Sequence, residues 1–167
     1  METPQQYSAR ILGNIEGQDA LKVLKASPKK IKKIIKGVKK KTLYKRPESD
    51  AWSAAEIIAH LAETELVLGW RYRTTAEKNG AIIQPFDQDA WAKNSQYREC
   101  DVNEMLELFS VLRAANMRFI AGLPTAALEN TGIHQERGME SIRHMINLEA
   151  GHDLNHIKQI KRILKNS

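Results

Sequence analysis

The chain has 167 residues, 42% of them hydrophobic, a formal net charge of +6 at neutral pH and a single cysteine, Cys100. That length suits one domain spanning 1–167 with its own core, and a lone cysteine excludes an intramolecular disulfide framework or a four-cysteine metal knot. No apolar stretch is long enough for a transmembrane span, and the start Met1-Glu2-Thr3-Pro4 is too polar for a secretory signal, so a cytoplasmic protein is expected.

Residues 5–26 carry Tyr7, Ile11, Leu12, Ile15, Leu21 and Leu24 on a partly helical period. Gly13 and Gly17 weaken it, and a break is expected near Gln18-Asp19. Ser27-Pro28 then reads as an N-cap followed by proline at the first helical position. Residues 29–46 hold ten Lys or Arg and no acid, leaving the other 149 residues with 16 basic and 20 acidic side chains, a net of −4. Within that segment Ile31, Ile34, Ile35 and Val38 recur at helical spacing, the pattern of an amphipathic helix with its lysines in water. An anion- or membrane-facing patch is the alternative. Specific nucleic-acid recognition is not expected, because Tyr44 stands alone and no helix-turn-helix pattern accompanies it.

Ser53 and Glu56 form a capping box, from which a helix should run to about Lys78 and stop at Asn79-Gly80. Residues 80–100 lack a sustained helical period. Asp101 and Glu104 mark the next start, with Leu106, Phe109, Leu112, Asn116 and Phe119 near one stripe before Pro124. A second polar connection, 122–137, leads to a last helix over roughly Met139–Leu164. With no hairpin signal, the chain is expected to be all-α: a four-helix bundle with long crossover connections.

Three histidines concentrate the chemistry. His152 and His156 lie four apart on the inner stripe Met145, Leu148, His152, His156, Gln159 and Ile163, one turn from each other. Neutral imidazoles side by side in a core need partners, and a metal ion bound at about 2.0–2.1 Å per nitrogen meets that need. His60, on the stripe Glu56, His60, Thr64, Val67 and Arg71, is the natural third ligand. No Glu follows His152 in the manner of an HExxH protease, and no paired ExxH motifs suggest a di-iron bundle. What remains is a three-histidine mononuclear site with an open position. His134 lies in the connection before the last helix, and His144 falls off the His152 side and reads as a surface residue.

Several segments together resemble the DinB/YfiT-like family of metal-binding four-helix bundles. They are Trp52-Ser53-Ala54-Ala55-Glu56 with His60-Leu61-Ala62-Glu63, Asp87-Gln88-Asp89-Ala90-Trp91, Gly132-Ile133-His134 and Gly151-His152-Asp153-Leu154-Asn155-His156. The resemblance covers nearly the whole chain. It implies one divalent ion, zinc first and nickel or iron as alternatives, on His60, His152 and His156, and it favours a homodimer. It also implies a choice of chemistries, because characterised relatives include transferases that use low-molecular-weight thiols, thiol-dependent isomerases and metal-dependent hydrolases. Glu63 stands where many members carry Asp.

The reading that follows first is a thiol-dependent transferase, in which the metal centre activates a low-molecular-weight thiol toward an electrophile. Arg71, Arg73 and Arg113 are then the candidates for holding the thiol's anionic groups, with Glu63 and Arg71 as candidate catalytic groups. The alternative is a hydrolase using metal-bound water, for which Glu63 and Glu56 are the nearest acids in sequence. A non-catalytic metal protein is the third reading.

Overall fold

The computed structural model describes residues 2–166; Met1, at the head of the polar start, and Ser167 lie outside the described residues. Its first half comprises α1 (Pro4–Gly13), α2 (Ala20–Ile35), the single turn α3 (Lys40–Leu43) and α4 (Ala54–Glu77). Then come β1 (Ala81–Ile83), α5 (Gln88–Asn94), α6 (Val102–Ala121), a 3-10 turn (Thr125–Glu129), β2 (Thr131–His134), β3 (Gly138–Ser141) and α7 (Ile142–Lys165). The four long helices α2, α4, α6 and α7 form the bundle. α2 packs on α6 and α7, and α4 packs on the same two, so α2 and α4 stand on its diagonal. α1 lies against α7. Among the described residues, no helix is long and apolar enough to cross a membrane.

The expected caps form. Ser53 Oγ accepts the Glu56 backbone N–H while the Glu56 carboxylate accepts that of Ser53, closing the box that starts α4. Asp101 accepts the N–H groups of Asn103 and Glu104 at the start of α6. α4 ends at Glu77, and Gly80 supplies the positive φ of +80° that turns the chain into β1. The break near Gln18-Asp19 is present too, with Asp19 capping α2.

The second helix departs from expectation. Ser27-Pro28 does not start it: α2 runs through both residues from Ala20. Proline inside a helix leaves the carbonyl one turn back without its N–H partner. Here that carbonyl, of Leu24, accepts Arg113 Nη1 at 2.9 Å, and Ser27 Oγ bonds the Val23 carbonyl. A tertiary arginine replaces the missing local bond. Farther along, Ile31 and Ile35 are buried while Lys29, Lys30, Lys32, Lys33 and Lys36 are exposed, as the amphipathic pattern requires.

The two connections are not free of β structure. β1 pairs in parallel with β2, and β2 pairs antiparallel with β3, giving one small sheet. Because β3 occupies residues 138–141, α7 starts at Ile142, capped by Ser141, rather than at Met139. The absence of a hairpin signal has a physical reason: the burial of these strands runs against the usual hydrophobic alternation. Ile82, Ile133 and Met139 face solvent in register, whereas Gly132, His134 and Glu140 face inward.

Apolar side chains form two clusters along the bundle. One gathers Ile31, Ile57, Leu61, Phe109 and Ile160; the other gathers Leu24, Leu68, Tyr72, Ile120, Ile142 and Met145. Between these stretches of α4, α6 and α7 fall the buried polar residues Glu65, Arg113, Asn116, Glu149 and Asp153.

Candidate metal centre

α4 and α7 pack side by side, which brings His60 against His152 and His156. The Nε2 atom of His152 is 3.1 Å from that of His60 and 3.0 Å from that of His156. His60 is buried at 1% exposure, while His152 and His156 are half-buried, so the cluster is reachable from one side. Trp52 lies against the His60 ring at a centroid distance of 5.0 Å. His156 Nδ1 is 3.0 Å from Gln159 Oε1, an acceptor, which assigns the proton to Nδ1 and leaves Nε2 as a lone pair.

The donor set fits a divalent ion. One proton on His152 Nε2 can satisfy only one of its two close nitrogen neighbours. Four-coordinate zinc with arms of 2.0–2.1 Å sets ligand nitrogens about 3.3 Å apart, close to the separations seen here. Metal ligands must also be unprotonated. Burial, then the neighbouring His156, holds His60 down at about 3, and burial holds His156 at about 4. Burial and the two other rings depress His152 as well.

A cavity of about 90 Å³ opens on His60 and His152. Its wall also carries Thr64, Leu68, Arg71, Phe86, Arg137 and Glu149. His156 instead lines a separate surface pocket with Trp52, Asp50 and Asp89.

The other residues singled out from sequence are spread more widely. Arg71 is on the cavity wall. Arg73 is exposed and lies elsewhere, donating to Asn116 Oδ1 at 2.9 Å and stacking over Phe119. Arg113 is 3% exposed and fully engaged: Glu65 and Asp153 accept its guanidinium, and Glu149 lies 3.0 Å away. Burial works against its charge, but Asp153, Glu149 and Glu65 more than offset that and hold it firmly protonated. Glu63 accepts Tyr97 Oη at 2.8 Å and is not on the cavity wall. Glu56 is committed to its capping box and to Arg46.

Sequence reasoning passed over Glu149. Among the described residues it is the one acid on the cavity wall, one turn before His152, and Tyr72 Oη donates to it. Burial, then the charge of Glu65, pushes its carboxyl well above the usual carboxylate range. Its place three residues before His152, on the same stripe as Met145, was the available signal. His134 is also buried, at the inward face of β2 beside Arg71, while His144 is half-exposed as expected.

Comparison with known proteins agrees with this architecture. Residues 24–160 match the family model of the DinB superfamily. A protein of Oceanobacillus iheyensis named "Putative metal-dependent hydrolase" is 26% identical over 117 residues, covering 70% of this chain and 67% of that protein. One of Geobacillus kaustophilus with the same name is 21% identical over 98% of this chain and 90% of that protein. Among solved structures, YfiT from Bacillus subtilis, described as "a probable metal-dependent hydrolase with an unusual four-helix bundle topology", superposes with a TM-score of 0.82. The alignment covers 98% of this chain and 89% of that one at 17% identity, a likeness of fold.

Proposed function

Because the chain belongs to the DinB superfamily and carries a convergent three-histidine cluster, we propose that it is a metal-dependent enzyme that hydrolyses a small molecule. The observation that carries this is the meeting of three imidazoles, two of which, His60 and His152, line a cavity that also holds a buried acid. His60, His152 and His156 would hold the ion. A divalent ion with an open position supplies Lewis acidity and an acidified water.

The rest of the work falls to the chain's own residues. Burial of His60 and its packing against Trp52 fix the direction of one ligand, and Gln159 fixes the tautomer of another. Leu68, Phe86, Met145 and Leu148 give the cavity apolar walls that exclude bulk water. Glu149, as the acid on that wall, is assigned the proton transfer that bond cleavage requires. The names of the two bacterial relatives support the hydrolytic reading. Thiol-dependent transfer is the second reading, favoured by Arg71 on the wall; Arg73 and Arg113, its other anchors, are held elsewhere.

The test combines metal content with turnover. Protein purified without added metal is expected to hold close to one equivalent of divalent ion, and His152→Ala to lose most of it. Ester or amide hydrolysis should require the metal and no thiol. Glu149→Gln, nearly isosteric with a protonated glutamate, should keep the metal while kcat falls about 100-fold or more. Full metal retention in His152→Ala would remove that residue from the ligand set. Turnover only with an added thiol would favour transfer.

A further inference from the structure

Two guanidinium groups, Arg71 and Arg137, share the cavity wall with His60 and His152. Arg137 is held by Glu140, its Nε and Nη2 donating to the two carboxylate oxygens. Arg71 has no such partner among the described residues. It is 5% exposed, its Nη2 donates to the Gln84 carbonyl, and its buried Nε has no hydrogen-bond acceptor. A buried cation with an open donor is costly unless an anion meets it.

His134 cannot be that acceptor. Its Nε2 lies 3.3 Å from Arg71 Nη2, but its Nδ1 accepts the backbone N–H groups of Glu136 and Arg137 at 3.2 and 3.4 Å. A neutral imidazole that accepts at Nδ1 carries its proton on Nε2. Two donors therefore face each other. With Glu149 on the same wall kept protonated by its burial, Arg71, Arg137 and Glu140 together leave one positive charge at the cavity.

We propose that Arg71, with Arg137 beside it, is an anion subsite in the histidine cavity that takes a carboxylate carried by the small molecule on which the centre acts. One uncompensated charge matches a monoanion, and about 90 Å³ admits a group of only a few atoms. The apolar walls of Leu68, Phe86, Met145 and Leu148 suit a short hydrocarbon spacer between that carboxylate and the reacting bond. Assigning the carboxylate to the substrate rests on the metal-centre reading above, whereas the binding of an anion by Arg71 stands without it.

The experiment titrates the full chain, as purified and again after chelation, with propionate, propionamide and inorganic phosphate, reading amide NMR shifts. Propionate should bind saturably in the millimolar range, and propionamide at least tenfold more weakly. Arg71→Met should weaken propionate at least tenfold, while Arg73→Met, outside the cavity, should leave it unchanged. Since Arg71 also holds Gln84, Arg137→Gln provides a second variant, expected to weaken propionate several-fold. The propionate–propionamide contrast in the unaltered chain needs no variant. Equal binding of propionate and propionamide, or undiminished binding in a folded Arg71→Met variant, would overturn the subsite. Phosphate binding more tightly than propionate would overturn the carboxylate assignment. Propionate binding that vanishes on chelation would give the anion to the metal instead. If propionate binds the chelated chain but no metal is ever found, the metal-centre reading fails and the subsite stands.

Discussion

His134 shows how one ring can be fixed in a single protonation state by its surroundings. Burial, then the positive charges of Arg137 and Arg71, holds it down at about 4. In the unfolded chain it titrates at about 6.5. The folded state therefore binds fewer protons than the unfolded state between those values. Stability from the neutral ring is fully present above about pH 6.5 and is lost as pH falls toward 4. His134→Gln removes that titration. The urea-unfolding free energy of the parent chain should thus fall more steeply than that of the variant below about pH 6.5, by up to about 1.4 kcal/mol per pH unit. Parallel pH profiles for the two proteins would show that the ring is not held neutral. His60, His152 and His156 could be picked out in the sequence because helical spacing alone puts them on inward stripes. His134 could not, because its burial depends on which face of a four-residue strand turns inward. Glu149 was legible only in its stripe position, because its partners Tyr72 and Arg113 arrive from other helices.

At the scale of elements, local signals succeeded where a residue bonds its own neighbourhood. The Ser53–Glu56 box and the Asp101 cap use N–H groups within three residues, so sequence spacing suffices to find them. Ser27-Pro28 misled because the bond that lets α2 continue comes from Arg113, 89 residues away. Helix contacts follow the same logic at Gly151 on α7. A Cβ built there would lie 2.2 Å from the Ile11 carbonyl oxygen of α1, well inside contact distance. The obstacle is backbone, so no side-chain rotation relieves it. Gly151→Ala must push α1 off α7 and is expected to destabilise the protein by about 2–3 kcal/mol. The same substitution at Gly13, which has nothing within 4 Å of its built Cβ, should be neutral or slightly stabilising. Thermal melts of the two variants, with hydrogen exchange across residues 4–13, would check both magnitude and location. Equal melting temperatures would mean that the α1–α7 crossing is looser than this geometry.

Across the whole molecule, the polar layer around Arg113 links four helices through one side chain. From α6 it reaches the Leu24 carbonyl of α2, Glu65 of α4, and Glu149 and Asp153 of α7. Such a layer contributes little net stability beyond what apolar residues of the same shape would give, yet breaking it from one side leaves buried charge uncompensated. Arg113→Met takes away the cation that Glu65 and Asp153 share and strands both, while the Leu24 carbonyl loses the donor that stands in for the Pro28 N–H. A loss of about 3–5 kcal/mol is expected, read as a lower urea midpoint with an unchanged slope. Replacing the stranded groups as well, in Arg113→Met with Glu65→Gln and Asp153→Asn, should recover part of that loss. This comparison also separates the two arginines that sequence reasoning grouped together. Arg113 serves architecture, so its variant, where folded, should bind propionate as the parent does. Arg71 has no ion-pair partner among the described residues, so its variant should lose propionate with little change in stability. A folded Arg113→Met protein that keeps its urea midpoint but loses propionate would reverse the two assignments.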